Sequence, residues 1–237
     1  MKAALSHPNA GLARAPLTAI WAILAAVLLA AAPARPALAA SAAEELVEES
    51  RFSLERMLVD DELPELKGYV TRARGLLIIP ELVKGGFILG AEAGSGVLMV
   101  RGGDGTWSAP AFYTLAAGSI GLQIGGQVSE VVFTVMNQGA IEALLRSEIK
   151  LGADLSVTVG PIGKGLEVST TTNLGADVFA FSKNVGLFGG GALEGAKLFA
   201  RQKLNQAYYG PGATPHAIVI ERSFFNPQAE KLRQAAP

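Results

Sequence analysis

The chain has no cysteine among its 237 residues and only two histidines, His7 and His216. Without cysteine there is no disulfide framework and no lipid-modified cysteine anchor, so the fold must hold by core burial. Zinc centres built on Cys and His clusters are excluded, and no metal or other cofactor is expected. A Ser-His-Asp triad would have to use His216. No G-x-S-x-G elbow accompanies it, since Ala93-Gly94-Ser95-Gly96 has the wrong spacing. Gly160 to Gly165 fails as a phosphate loop: Thr158 stands where the leading glycine is required, and Gly165 replaces the Ser/Thr. No catalytic residue is assigned, and the reading is a binding protein, not an enzyme. Charge is also scarce, at 17% of residues against 50% hydrophobic, which excludes a disordered chain.

The long apolar run lies at the N-terminus. Lys2 and Arg14 precede it, Leu17 to Ala32 is interrupted only by Thr18, and Pro33 and Pro36 are expected to break any helix. Ala37-Leu38-Ala39 supplies the small-x-small pattern of a cleavage site, so residues 1–39 are predicted to be a secretory signal cleaved near Ala39/Ala40. The alternative is a retained membrane anchor. Cleavage would remove Lys2, Arg14 and Arg35 and no acid, leaving 17 basic against 21 acidic residues. That balance argues against nucleic acid as a partner. The expected location is the periplasm or envelope.

Residues 40–74 are predicted to be helical. Ser41 and Glu44 have capping-box spacing for a helix running to Val59, and Pro64 opens a second helix through about Arg74. From Gly75 to Gly210 the texture is that of strands. Leu76 to Ile79 is a buried run stopped by Pro80, and Gly103-Asp104-Gly105 is a hairpin turn before a strand from Trp107. Trp107 is expected to pack in the core or turn. Further strands are expected at 128–135, 155–159, 166–172 and 178–182 and a hairpin at 185–198, with Asn137 capping a helix that ends near Ser147. Leu204 to Tyr209 reads as a helix stopped by Gly210, and 211–237 as a tail with a short helix from Asn226-Pro227. Glycine weakens a strand interior, so 28 glycines in such a chain need a reason. Gly94, Gly96 and at least one of Gly189 to Gly191 are expected at bends or bulges, with φ that other residues tolerate poorly. The fold class is α+β: a glycine-rich, strongly curved antiparallel sheet, open or nearly closed as a barrel, with flanking helices. Carboxylates at Glu92, Glu130, Asp154, Glu167, Asp177 and Glu194 fall in or near strands. Most should face solvent, with one or two in a polar interior or paired with Lys or Arg.

A set of motifs in order carries a family resemblance. Ala73-Arg74-Gly75-Leu76 is followed by Gly85-Gly86-Phe87-Ile88-Leu89-Gly90 and Gly94-Ser95-Gly96-Val97. Asp104-Gly105-Thr106-Trp107-Ser108-Ala109-Pro110 is the sharpest. Gly118 to Gly126, Val131-Val132-Phe133, Gly152-Ala153-Asp154-Leu155-Ser156-Val157 and Gly160-Pro161 continue it. Phe179-Ala180-Phe181-Ser182-Lys183, Gly186-Leu187-Phe188-Gly189-Gly190 and Tyr208-Tyr209-Gly210 close it. The stretch from Arg74 to Gly210 resembles the SYLF family. The resemblance implies binding of anionic phospholipid or phosphoinositide, with basic residues near the start of the domain. It also implies an N-terminal amphipathic helix, but here that helix is acidic, with Glu44, Glu45, Glu48, Glu49 and Glu55 against Arg51 and Arg56. Actin binding by eukaryotic members is not expected of an exported chain unless it is delivered into a host.

Lys67, Arg72, Arg74 and Lys84 are the candidate headgroup contacts. Positions 67, 71 and 74 share a helical face if the second helix reaches Arg74, and Lys84 could return beside them. The expected function is lipid binding at a membrane surface. The alternative is a structural protein docking a protein partner through its glycine-rich sheet.

Overall fold

Leu76 to Ile79 shows no polar alternation because the strand that holds it is covered on both faces. Leu76 and Ile78 join one buried cluster, while Leu77 and Ile79 join the other. The computed structural model describes residues 34–86, 89–120, 125–146, 148–160, 176–183 and 195–237. The chain divides into two compact units, Met1–Leu38 and Ala39–Pro237, and the first is described only at 34–38.

The described strands are β1 (Gly75–Gly86), β2 (Leu89–Val100), β3 (Ala111–Ile120), β4 (Gly125–Val135), β5 (Glu148–Lys150), β6 (Val157–Val159), β7 (Val178–Ser182) and β8 (Lys197–Ala200). They form one curled half-barrel sheet in the order β5-β8-β3-β2-β1-β4-β7-β6. The α+β reading therefore holds. Pairing is antiparallel except between β6 and β7, which run parallel, a departure from the all-antiparallel expectation. The expected strand at 166–172 and the bend at 189–191 lie outside the described residues.

One face of the sheet carries α1 (Ala34–Leu58), α2 (Leu66–Arg72), α4 (Gln202–Tyr209) and α6 (Glu230–Ala235). The other carries α3 (Gln138–Leu144) and α5 (Pro215–Val219). Burial of each large aliphatic side chain in these layers is worth about 1.5–3 kcal/mol, which replaces the missing disulfides. Asn137 caps α3 as expected, its side chain accepting from Ala140 N–H at 2.8 Å. Gly210, at φ 106°, ends α4.

Several helix boundaries differ from the sequence reading. α1 is already formed at Ala34, so Ser41 is interior to the helix and not its N-cap. Pro36, expected to break any helix, lies within α1 instead. α2 begins at Leu66, two residues after Pro64, and stops at Arg72, because Ala73 is extended at φ −66°, ψ 143°.

Pro80 does not end β1. The register slips between Ile78 and Glu81 against β2, and between Ile79 and Leu82 against β4. A proline in a central strand has no N–H for the ladder, and a bulge absorbs the mismatch. The bulge explains the glycines opposite. A Cβ on Gly96 would lie 2.2 Å from the Ile78 carbonyl oxygen, and one on Gly94 would lie 2.5 Å from that of Glu81. Neither has positive φ. The irregularity expected at Gly94 and Gly96 therefore sits in the neighbouring strand, and these glycines make room for it. The expected hairpin is present: Gly105 has φ 82° and its N–H donates to Gly102 O at 3.0 Å. The return strand starts at Ala111 rather than Trp107, which keeps only a bridge to Arg101.

Candidate functional site

The apolar side of α2, Leu66 and Val70, is buried, which leaves Lys67, Thr71 and Arg72 exposed on its outer side. Thr71 Oγ1 donates to Lys67 O at 2.8 Å and stiffens this short helix. The Arg72 guanidinium lies 5.0 Å above the Tyr69 ring. Tyr69 in turn packs on Phe179 and Phe181, with ring centroids 4.7 and 5.2 Å away. The charge at Arg72 is thus seated on an aromatic stack that belongs to the core.

Arg74 is exposed as well, but it is not on the helix. Its N–H donates to Val135 O at 2.8 Å, and its carbonyl accepts from Arg101 N–H at 2.7 Å. The expected face through 67, 71 and 74 is therefore not helical. Lys67 and Arg72 come from α2, and Arg74 from the entry to the sheet. The corner is held by Arg101, which donates to the carbonyls of Ala73 and Val70 and stacks 4.2 Å over Trp107. Burial lowers the Arg101 pKa. Trp107 is 3% exposed, a packing residue as expected. Lys67, Arg72 and Arg74 form no ion pair among the described residues.

Lys84 is not brought to this corner. It lies ten residues along β1 from Arg74, roughly 30 Å of extended chain. It follows Leu82 on the face opposite α2. Its Nζ is 2.7 Å from Glu92 Oε1, with side-chain exposures of 11% and 1%. The two residues are cross-strand partners. Among the described residues neither Glu92 oxygen has a partner in hydrogen-bond geometry, so the contact with Lys84 is chiefly charge against charge. Of the other carboxylates, Glu130 pairs with Arg56 and Asp154 accepts from Lys150 N–H. Asp177 ties Asn137 to Ser156. Glu167 and Glu194 lie outside the described residues. His216 is exposed and faces Glu221 at 3.1 Å.

A family model described as Ysc84, Las17-binding protein actin regulator, matches residues 116–236. The chain belongs to the Ysc84, or SYLF, family. It is 38% identical over 154 residues to LAS seventeen-binding protein 3 of Saccharomyces cerevisiae, covering 64% of this chain and 33% of that protein. It is 37% identical over 164 residues to Protein YSC84 of the same yeast, covering 68% of this chain and 35% of that one. Human SH3 domain-containing YSC84-like protein 1 is 35% identical over 164 residues, covering 69% of this chain and 48% of its own length. The matched stretch thus spans between a third and a half of these SYLF relatives.

One feature of this SYLF chain was missed from sequence. Glu45, Glu49, Phe52 and Arg56 form an exposed ridge along α1, and depressions of about 300 and 290 Å³ lie between it and the sheet. The spacing i, i+4, i+7, i+11 was readable. The strand residues opposite could not be placed until the bulge at Pro80 set which face they occupy.

Proposed function

We propose that this protein binds anionic phospholipid surfaces in the bacterial envelope through Lys67, Arg72 and Arg74, by attachment and without catalysis. The observation that carries the reading is the corner itself: three exposed cations that form no ion pair among the described residues, held by the contacts of Tyr69 and Arg101. Such residues keep their full attraction for phosphate, and each is worth about 1 kcal/mol near an anionic membrane. The net negative domain does not prevent this, since screening limits distant acids to roughly 8–10 Å. Lys84 is assigned to the Glu92 pair rather than to the headgroup.

The secretory pattern at 1–39 supports export. An exported chain meets lipid before it meets the actin named in the family description, so actin regulation is not carried over. The test is sedimentation with vesicles of phosphatidylglycerol and phosphatidylcholine. Arg72→Glu with Arg74→Glu should weaken binding by well over tenfold, added salt should weaken the wild type, and pure phosphatidylcholine should bind little. Equal binding by wild type and the double variant, with an unchanged circular dichroism spectrum, removes this corner as the lipid site.

A further inference from the structure

The ridge on α1 and the strands beside it form a second surface of opposite character. Val83 pairs across β1 with Val128 on one side and with Ala93 on the other. Val83 is 49% exposed, Val128 52%, and Phe52 on α1 46%. Three adjacent strands and the helix therefore present apolar side chains to solvent in one place, with Pro80 lining both depressions. Patches of this kind on an otherwise polar surface mark interaction sites.

The rim is acidic. Glu49 and Glu81 line the groove, and Glu45 stands one turn before Glu49. None of the three forms an ion pair among the described residues. Arg56 is taken by Glu130, and at the far end Arg201 donates to Ser95 Oγ at 2.9 Å. Burial pushes the Glu49 carboxyl pKa up, and the nearby charges of Glu45 and Glu81 add to the rise.

We infer that this groove is a docking surface for a cationic, amphipathic segment of a partner protein. Its apolar side chains would cover Val83, Val128 and Phe52, and its Lys or Arg residues would meet Glu45, Glu49 and Glu81. Charge decides among occupants. An anionic membrane would be repelled by the rim, and a second copy of the same face would set carboxylates against carboxylates. Only a cationic segment satisfies both the floor and the rim.

The probe is an eighteen-residue peptide of alternating Leu and Lys turns, with a Leu/Glu peptide of equal hydrophobicity as control. Binding is read by fluorescence anisotropy on protein purified from cells expressing the full chain. The Leu/Lys peptide should bind in a salt-dependent way and the Leu/Glu peptide should not. Val83→Ser with Val128→Ser should weaken binding by tenfold or more, and Glu49→Gln with Glu81→Gln should do so independently. These side chains are exposed, so the variants should fold, and their vesicle binding should equal that of the wild type. Unchanged peptide affinity in both double variants overturns the inference. So does equal binding of the two peptides. Loss of vesicle binding in Val83→Ser/Val128→Ser overturns it in favour of a membrane, and loss of a dimer in sedimentation overturns it in favour of a second copy.

Discussion

The two ends of the long strands are built by different rules. Near Gly75, where β1 to β4 also carry Val97 to Val100 and Val131 to Val135, both faces are filled with large aliphatic and aromatic side chains. Past the Pro80 bulge the described side chains are more mixed: buried Leu82 and Leu115, the buried pair Lys84 and Glu92, and exposed Val83 and Val128. The difference teaches where stability and recognition are placed. The first end is a double-sided core and supports the cationic corner at Arg72 and Arg74. The second end holds a buried ion pair on one face and leaves the α1 face open as the acidic groove.

The sharpest way to break this comparison is to disturb the buried Lys84–Glu92 pair. Lys84→Met leaves Glu92 as a buried carboxylate without a counter-charge and should cost about 3–5 kcal/mol in urea unfolding. Lys84→Met combined with Glu92→Leu should restore most of that loss. If the single variant is as stable as the wild type, the pair is not buried in the way described.

The next effect compares glycines across the bulge. Gly96→Ala forces a Cβ to 2.2 Å from Ile78 O, whereas Gly118 in β3 has nothing within 4 Å of the same position. Overpacking of that kind costs about 1–3 kcal/mol, so Gly96→Ala should lower the melting temperature markedly and Gly118→Ala should hardly move it. Equal effects would remove the close-approach explanation.

The smallest effect tests how the edge strands are attached. Asp177 accepts from Asn137 Nδ2 at 2.7 Å and from Ser156 Oγ at 2.8 Å. The Asn137 bond, followed by those from Ser156, holds its carboxyl pKa below the ordinary value. A lowered pKa stabilises the fold above the unfolded-state pKa, and that contribution disappears as pH falls through the folded-state value. Asp177→Asn should therefore cost about 1–2 kcal/mol at neutral pH. The gap from wild type should close as pH drops through and below about 4. A gap that is constant with pH would mean that the charge of Asp177 has no part in it.

Much of the double-sided core was legible, because unbroken runs such as Leu76 to Ile79 announce burial on both faces. The caps at Asn137 and Gly210 were equally clear, since their chemistry is local. Pro80 was misread because a strand stop and a bulge have the same local signature, and only the partner strands show which occurs. That misreading hid the pairing of Lys84 with Glu92, although the two stand symmetrically about position 88 in the hairpin. Lys67, Arg72 and Arg74 were placed near one another by sequence proximity. The end of α2 at Arg72 changed how they are presented, a detail fixed by tertiary contacts of Arg101 and Tyr69.

The absence of cysteine permits the most direct test of the central claim. Gly68 lies on the exposed side of α2 with open space around it, and Val83 marks the groove. Gly68→Cys and Val83→Cys, each carrying one environment-sensitive fluorophore, would be titrated with phosphatidylglycerol vesicles. The label at position 68 should shift to the blue, and the label at 83 should not. A shift at 83 with none at 68 would place the membrane on the wrong surface and contradict the account.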